Sequence, residues 1–256
     1  MKTAIVIPAR LGATRLPHKP LRDLAGQPLV VRVWRRVSGM RLAPRVVIAT
    51  DHEDVARAAS DAGAEVVITS AECASGTARV AEVAQSAAFA GFDSFVNVQG
   101  DEPFISAAVI RAALGVITEG RFGLGTVAAR ASAAILDAPS IVKVVAALDG
   151  RAMYFSRAPI PFLRDASNAA DVQLRRKFTL QHIGVYSYTR ASLAEWMALP
   201  PHPLEDIEHL EQLRPLAHNM SMGVAVVDEP IEAGIDTEAD LRLANERWST
   251  FAAGEE

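Results

Sequence analysis

The chain has 256 residues, 50% of them hydrophobic and 22% charged, which is the balance of one large globular domain or two small ones with a sizeable core. Its one cysteine, Cys73, excludes an internal disulfide framework and a cysteine-rich metal cluster, and no apolar run reaches the roughly 18–20 residues that span a bilayer. Lys and Arg number 26 against 30 Asp and Glu, a net charge of −4 that argues against nucleic-acid binding; no secretion signal is read, and a reducing cytoplasm is the expected compartment.

Short Val/Ile-rich runs at 4–8, 45–50, 65–69 and 94–99 read as strands buried on both faces of a parallel sheet. Helices are expected between them at 28–41, 54–62, 77–89 and 107–117, with Gly63 at a C-cap. Such alternation predicts an α/β fold built on a doubly wound, mostly parallel sheet. After about residue 120 the pattern changes. Strand-like runs at 123–130, 141–148 and 151–157 follow one another, the last two joined by Asp149-Gly150 as a type I′ hairpin turn. Residues 158–177 read as a long loop, 180–189 and 222–227 as strands, and 204–213 and 237–251 as helices. The organisation expected is a nucleotide-binding part over 1–130, a largely antiparallel insertion over 131–220, and a return to the first part over 221–256 with a C-terminal helix.

Ligands of open α/β sheets bind beyond the carboxyl ends of the strands. The first strand runs into Pro8-Ala9-Arg10 and on through Arg15 to His18-Lys19-Pro20, which places three cations at that edge. The loop has neither a GxxxxGK[ST] nor a GxGxxG pattern, so a solvated basic loop and a polyphosphate site both remain open. Three cations can neutralise a triphosphate without a glycine cradle. The fourth strand ends in Asn97-Val98-Gln99-Gly100-Asp101-Glu102-Pro103, and a carboxylate just past a strand end is well placed to hold Mg²⁺ against phosphate oxygens. Gly234-Ile235-Asp236-Thr237 sets a second carboxylate in a similar position; Asp236 either caps the helix that follows or leaves that role to Thr237 and ligates metal.

Several segments occur in one order: Pro8-Ala-Arg10, Thr14-Arg15-Leu-Pro, Lys19-Pro-Leu, Ala49-Thr-Asp51, Ser75-Gly76-Thr77-Ala78-Arg79, Asn97-Val-Gln-Gly-Asp101-Glu-Pro, Tyr154-Phe-Ser-Arg157, His182-Ile-Gly-Val-Tyr186, Glu211-Gln-Leu-Arg214 and Gly-Ile-Asp236-Thr. Together they resemble the 3-deoxy-manno-octulosonate cytidylyltransferases, or CMP-Kdo synthetases, over residues 3 to about 245. The resemblance implies a Mg²⁺-dependent reaction in which CTP and Kdo give CMP-Kdo and pyrophosphate for lipopolysaccharide synthesis, carried out by a homodimer. It implies Arg10, Arg15 and Lys19 on the triphosphate, Ser75, Gly76 and Arg79 near cytosine and ribose, and Asp101 and Asp236 on the metal. It further implies Lys19, Asp101 and Asp236 as the catalytic group, with Gln99, Arg157, Arg164, His182, Glu211 and Gln212 lining the sugar-acid pocket. Bland alternatives stand beside these roles: Arg157 as an ion-pair residue, His182 as a hydrogen-bonded core histidine, the acids of 204–211 as a solvated face.

Three departures from the family pattern stand out: His18 where glycine is usual, Ala78 where an acid is common, and Ser140 where an asparagine-containing run is usual. Phe162, Leu193 and Trp196 are the apolar candidates for a dimer surface. Competing readings are a cytidylyltransferase for 8-amino-Kdo or sialic acid, a nucleotide-sensing module that kept the fold, and a metal-dependent glycosyltransferase.

Overall fold

The computed structural model describes residues 1–12, 15–130, 137–165, 168–229, 231–232 and 234–253. They fall into two compact units, residues 1–107 with 232–256, and residues 108–231.

The first unit opens with β1 (Thr3–Ala9), a two-residue hairpin of β2 (Asp23–Leu24) and β3 (Gln27–Pro28), and α1 (Leu29–Gly39). β4 (Arg45–Thr50), α2 (Glu53–Asp61), β5 (Glu65–Ile68), α3 (Gly76–Gln85) and β6 (Ser94–Asn97) follow. The sheet order is β5-β4-β1-β6, with every pairing parallel. Ile5, Val6, Ile7, Val47, Ile48, Phe95 and Val96 are fully buried. Strands covered on both faces need no polar alternation, which is why these runs are continuously apolar. Gly63, one residue past the α2 C-cap Ala62, stands at φ +87°, the left-handed position that glycine serves best.

Chain direction explains where a ligand can sit. The chain moves outward from β1 through α1 to β4 and through α2 to β5, then crosses back by α3 to lay β6 on the other side of β1. The reversal lies between β1 and β6, and the loops leaving their carboxyl ends flank the crevice it opens.

The second unit contains α4 (Ala107–Thr118), β7 (Leu124–Arg130), β8 (Lys143–Ala146), β9 (Ala152–Ser156), α5 (Ala169–Phe178), β10 (Leu180–Thr189), α6 (Arg190–Ala198), α7 (Pro203–Glu208), α8 (Leu213–Ala217) and β11 (Met222–Val227). β7 pairs in parallel with β11 and antiparallel with β10, while β8 is antiparallel to both β10 and β9. The insertion is therefore largely antiparallel, as expected. Its limits differ from the expected ones. β7 and β11 run in register from Leu124 opposite Met222 to Ala129 opposite Val227, which draws both strands into the second unit and sets its limits at 108 and 231.

Four local expectations are corrected. The stretch 158–177 is not all loop, because α5 forms within it; Asn168 accepts from the backbone of Ala170 and Asp171 at 2.8 and 3.1 Å, and three cations close the last turn. Caps and charge rather than a buried face make this helix, so hydrophobic periodicity does not reveal it. The expected helix 204–213 stops at Glu208, because His209 takes a left-handed φ of 51°. Asp149-Gly150 is not a two-residue I′ turn. Only Gly150 has positive φ, Gly150 donates to Ala147 and Ala147 to Arg151, which makes a three-residue loop closed by a left-handed glycine. Helix α6, unassigned in the sequence, buries Leu193 (2% exposed) and Trp196 (1%) against the strand β10 aromatics Tyr186 and Tyr188. Those two residues are core, and of the three surface candidates Phe162 alone is exposed.

The chain ends in the first unit with α9 (Glu238–Ala253). Arg22 grips Glu238 with both guanidinium nitrogens, Asn245 accepts from Ala25, and Arg32 and Arg36 stack on Trp248 and Phe251. Among the described residues no helix is long and apolar enough to cross a membrane.

Candidate active site

Three segments of the first unit meet beyond β1 and β6. The loop after β1 enters a single 3₁₀ turn at Lys19–Leu21, with Pro20 fixing the backbone and His18 held at φ 55°, ψ 30°. That left-handed geometry explains the glycine of the family pattern; histidine adopts it at a cost of about 1 kcal/mol. After β6, a Cβ on Gly100 would stand 2.9 Å from the carbonyl oxygen of Pro8, so only glycine lets this loop pass β1 and present Asp101. The third segment is joined to the second by its backbone, since Ile235 N–H donates to Asp101 C=O at 2.9 Å. Thr237 and Asp240 cap α9 reciprocally: Asp240 N–H donates to Thr237 Oγ1 at 3.2 Å and Thr237 N–H to Asp240 Oδ2 at 2.8 Å. The capping role thus falls to Thr237, and the Asp236 carboxylate is left for other partners.

Those partners are cations. Lys19 Nζ lies 2.6 Å from Asp101 Oδ2 and 2.7 Å from Asp236 Oδ1, and Arg15 reaches Asp236 Oδ2 at 2.9 Å. Burial by itself would lower the pKa of the Lys19 ammonium, but Asp101 and Asp236 outweigh it and hold the group above its ordinary value. Beside them, burial followed by the Asp101 and Asp236 charges pushes the Glu102 carboxyl up to about 8. Glu102 has no role in the sequence analysis; its adjacency to Asp101 is the available signal. Asp101 and Asp236 each direct one oxygen at a single cation-sized point, and no group of three or more His, Cys, Asp or Glu that could hold a metal is found among the described residues. A pair of carboxylates, completed by phosphate oxygens and water, fits Mg²⁺ better than the fuller cages of Zn²⁺ or Ca²⁺.

The remaining nucleotide candidates divide. Arg10 is exposed at the end of β1. Ser75 caps α3, accepting from Ala78 N–H at 3.2 Å. Ala78 is the third helical residue, where an acid would complete a capping box, so this departure removes half of a cap and no ligand. A Cβ on Gly76 would lie 3.3 Å from Pro8 Cγ and 3.4 Å from Asn97 Nδ2, with Gln99 beyond it at 3.8 Å, so the amino end of α3 comes close to both strand ends. Arg79 is 3% exposed; its guanidinium hydrogen-bonds Thr69 Oγ1 and lies 3.5 Å from Asp51 Oδ2. Through these partners it fastens the start of the 69–75 loop to the end of β4. Cys73 donates to Glu82 at 3.0 Å, and burial with that carboxylate pushes its thiol up to about 11, so it is no nucleophile.

The sugar-pocket candidates other than Gln99 lie in the second unit. Arg157 Nε donates to Glu208 C=O at 2.8 Å and Nη1 to Pro139 C=O at 3.0 Å, while the Glu208 carboxylate takes Ser156 Oγ and Arg157 N–H at 2.6 and 2.9 Å. Lys143, fully buried, donates to the carbonyls of Ala138, Ile141 and Arg157. Glu208 and Lys143 therefore shape this corner, and neither carries a local signal in the sequence. His182 bonds Thr126 Oγ1 at 2.8 Å and packs against Phe155 and Tyr186. Burial, and after it the charge of Glu211, raises the pKa of the Tyr186 hydroxyl, and Gln212 is buried. Arg164 stands apart, with a side chain 91% exposed and 3.6 Å from Asp165.

Burial pushes the His182 imidazole down to about 3, so the ring is neutral at working pH. Below its ordinary value near 6.5 the unfolded chain takes up a proton that the folded chain does not, and stability falls with pH. At pH 5 this loss is expected to be about 1–2 kcal/mol. Urea midpoints at pH 7 and pH 5 should differ more for the wild type than for His182→Gln; an equal difference refutes the assignment.

Residues 4–222 match the profile of the cytidylyltransferase family. The chain is 53% identical over 253 residues to a 3-deoxy-manno-octulosonate cytidylyltransferase from Gemmatimonas aurantiaca, spanning 99% of this chain and 96% of the relative. It superposes with a TM-score of 0.88 and 34% identity on a solved CMP:2-keto-3-deoxy-manno-octonic acid synthetase complexed with CTP, covering 98% and 99% of the two chains. The inositol-1-phosphate CTP transferase from T. maritima shares the fold at a TM-score of 0.64 and 20% identity, over 99% and 97% of the chains.

Proposed function

This chain belongs to the 3-deoxy-manno-octulosonate cytidylyltransferase family, and from that premise we propose that it transfers CMP from CTP to Kdo with release of pyrophosphate, for lipopolysaccharide synthesis in the cytoplasm. The observation that carries the reading is the convergence of Lys19 and Arg15 with Asp101 and Asp236 beyond β1 and β6, two cations for a triphosphate and two carboxylates for its metal.

The anomeric hydroxyl of the sugar attacks the α-phosphorus in line, and pyrophosphate leaves. Such a transfer needs positioning and charge neutralisation rather than a covalent enzyme intermediate. Lys19, Arg15 and Arg10 bind the triphosphate and stabilise the charge that develops on the leaving pyrophosphate. The amino end of α3 at Ser75 and Gly76 approaches the same strand ends, a setting that suits the nucleotide. Asp101 and Asp236 would hold Mg²⁺, which when bound offsets phosphate charge and polarises the phosphorus centre. Gln99, Arg157, His182, Glu211, Gln212 and Arg164 remain the proposed contacts for Kdo; Arg157 uses three of its five N–H groups on carbonyls, which leaves two for a carboxylate. A coupled assay of pyrophosphate release with CTP and Kdo tests the reaction.

We further propose a homodimer. Phe162, Leu174 and Phe178 are exposed around a cleft of about 670 Å³ in the second unit, also lined by Val145 and Leu180. Apolar side chains clustered in this way favour burial against another surface. Light scattering at micromolar concentration is expected to give twice the chain mass for the wild type and the single mass for Phe178→Lys; a monomeric wild type refutes the dimer.

A further inference from the structure

We propose that Lys19 keeps the metal site closed in the free protein: its ammonium bridges Asp101 and Asp236 and leaves them only for an arriving triphosphate, so metal and nucleotide enter together. The inference rests on the reading of Asp101 and Asp236 as Mg²⁺ ligands. Lys19 Nζ occupies the point on which both carboxylates converge, at 2.6 and 2.7 Å, while Arg15 holds the outer oxygen of Asp236 at 2.9 Å. Two negative charges thus meet two positive ones. A divalent cation entering this arrangement would meet like charges at close range and find the converging oxygens, Asp101 Oδ2 and Asp236 Oδ1, already held by Lys19.

A triphosphate changes the balance. It offers Lys19 and Arg15 a more strongly charged partner, and the four-carbon stem of lysine lets the ammonium swing without backbone movement. The backbone on either side is fixed. Leu21 N–H donates to His18 C=O at 2.9 Å, and Arg22 clamps Glu238 with both nitrogens. The Ile235 to Asp101 backbone bond keeps the two carboxylates facing each other when Lys19 leaves. Exchange of partners is then a side-chain event, and by linkage nucleotide and metal each strengthen the binding of the other.

Mn²⁺ binding to nucleotide-free protein, followed by electron paramagnetic resonance of the free ion, tests the proposal directly. Lys19→Met is expected to bind Mn²⁺ about tenfold or more tightly than the wild type, and Lys19→Arg to remain weak, since a cation still spans the carboxylates. Adding Asp101→Asn to Lys19→Met should abolish the gain. An affinity for Lys19→Met equal to or below the wild type overturns the proposal. The wild type supplies a readout that does not depend on how the variants fold. Lysine is rare, at positions 2, 19, 143 and 177, so the ¹⁵N signal of the Lys19 ammonium can be assigned. It should hold still with Mg²⁺ alone and move with CTP and Mg²⁺ together; movement with Mg²⁺ alone overturns the proposal. Turnover that survives EDTA would instead overturn the Mg²⁺ reading itself, whereas EDTA-sensitive turnover with unchanged Mn²⁺ affinity in Lys19→Met overturns only the part given to Lys19.

Discussion

Asp101→Asn is expected to lower turnover about 10³-fold or more while leaving the fold intact. The amide preserves the shape of the side chain but removes the charge, which forfeits several kcal/mol of phosphate stabilisation at about 1.4 kcal/mol per tenfold. Asp101 is tied into the fold by its backbone carbonyl, which accepts from Ile235, so the substitution leaves that link in place. Asp236→Asn should fall to a similar level, because its carboxylate shares Lys19 with Asp101. Groups that act as a unit are not additive, so the double variant should be little worse than either single one. Steady-state pyrophosphate release with a thermal melt for each variant makes the check. Near-wild-type rates in either single variant would remove that carboxylate from the mechanism.

Lys19→Met is expected to lower kcat by about 10²–10³-fold, the size of losing one preorganised charged donor at the leaving group. The loss should be larger in kcat than in KM for CTP, since the donor meets the most charge as pyrophosphate departs. Lys19→Arg should restore little, because a planar fork does not reproduce the compact point charge that the ammonium offers the departing pyrophosphate. The Met variant also leaves Asp101 and Asp236 facing each other with Arg15 as their remaining cation, and a destabilisation of about 1–2 kcal/mol is expected for this partly buried group. Single-turnover rates at saturating CTP separate the kinetic effect from binding. A kcat within a factor of two of the wild type contradicts the role.

The crevice was legible because its frame is local. Unbroken apolar runs mark β1 and β6, and Gly100, Pro8 and Pro20 punctuate their ends, so Arg10, Arg15, Lys19 and Asp101 could be placed at one edge without coordinates. Asp236 was legible by its Gly-Ile-Asp-Thr setting and by a neighbour, Thr237, able to take the cap. What escaped depends on partners far along the chain. The Arg79 guanidinium meets Asp51 and Thr69, 28 and 10 residues away, and its Ser-Gly-Thr-Ala-Arg motif discloses neither partner. Arg157 and Glu208 are 51 residues apart, and no spacing rule pairs them. Helix α5 escaped for another reason, because its stability comes from the Asn168 cap and end charges and not from a buried stripe. His182 shows the limit from the other side: alternation puts it on a strand, but Thr126, Phe155 and Tyr186, which enclose the ring, are set by tertiary packing.

The most direct test of the proposed reaction is a comparison of sugar acids in one pyrophosphate-release assay, with CTP and Mg²⁺ held constant and Kdo, 8-amino-Kdo and N-acetylneuraminate offered in turn. Kdo should show the highest kcat/KM and yield one CMP-Kdo for each pyrophosphate released. Absence of pyrophosphate release with Kdo, or a higher kcat/KM for either of the other acids, would contradict the assignment.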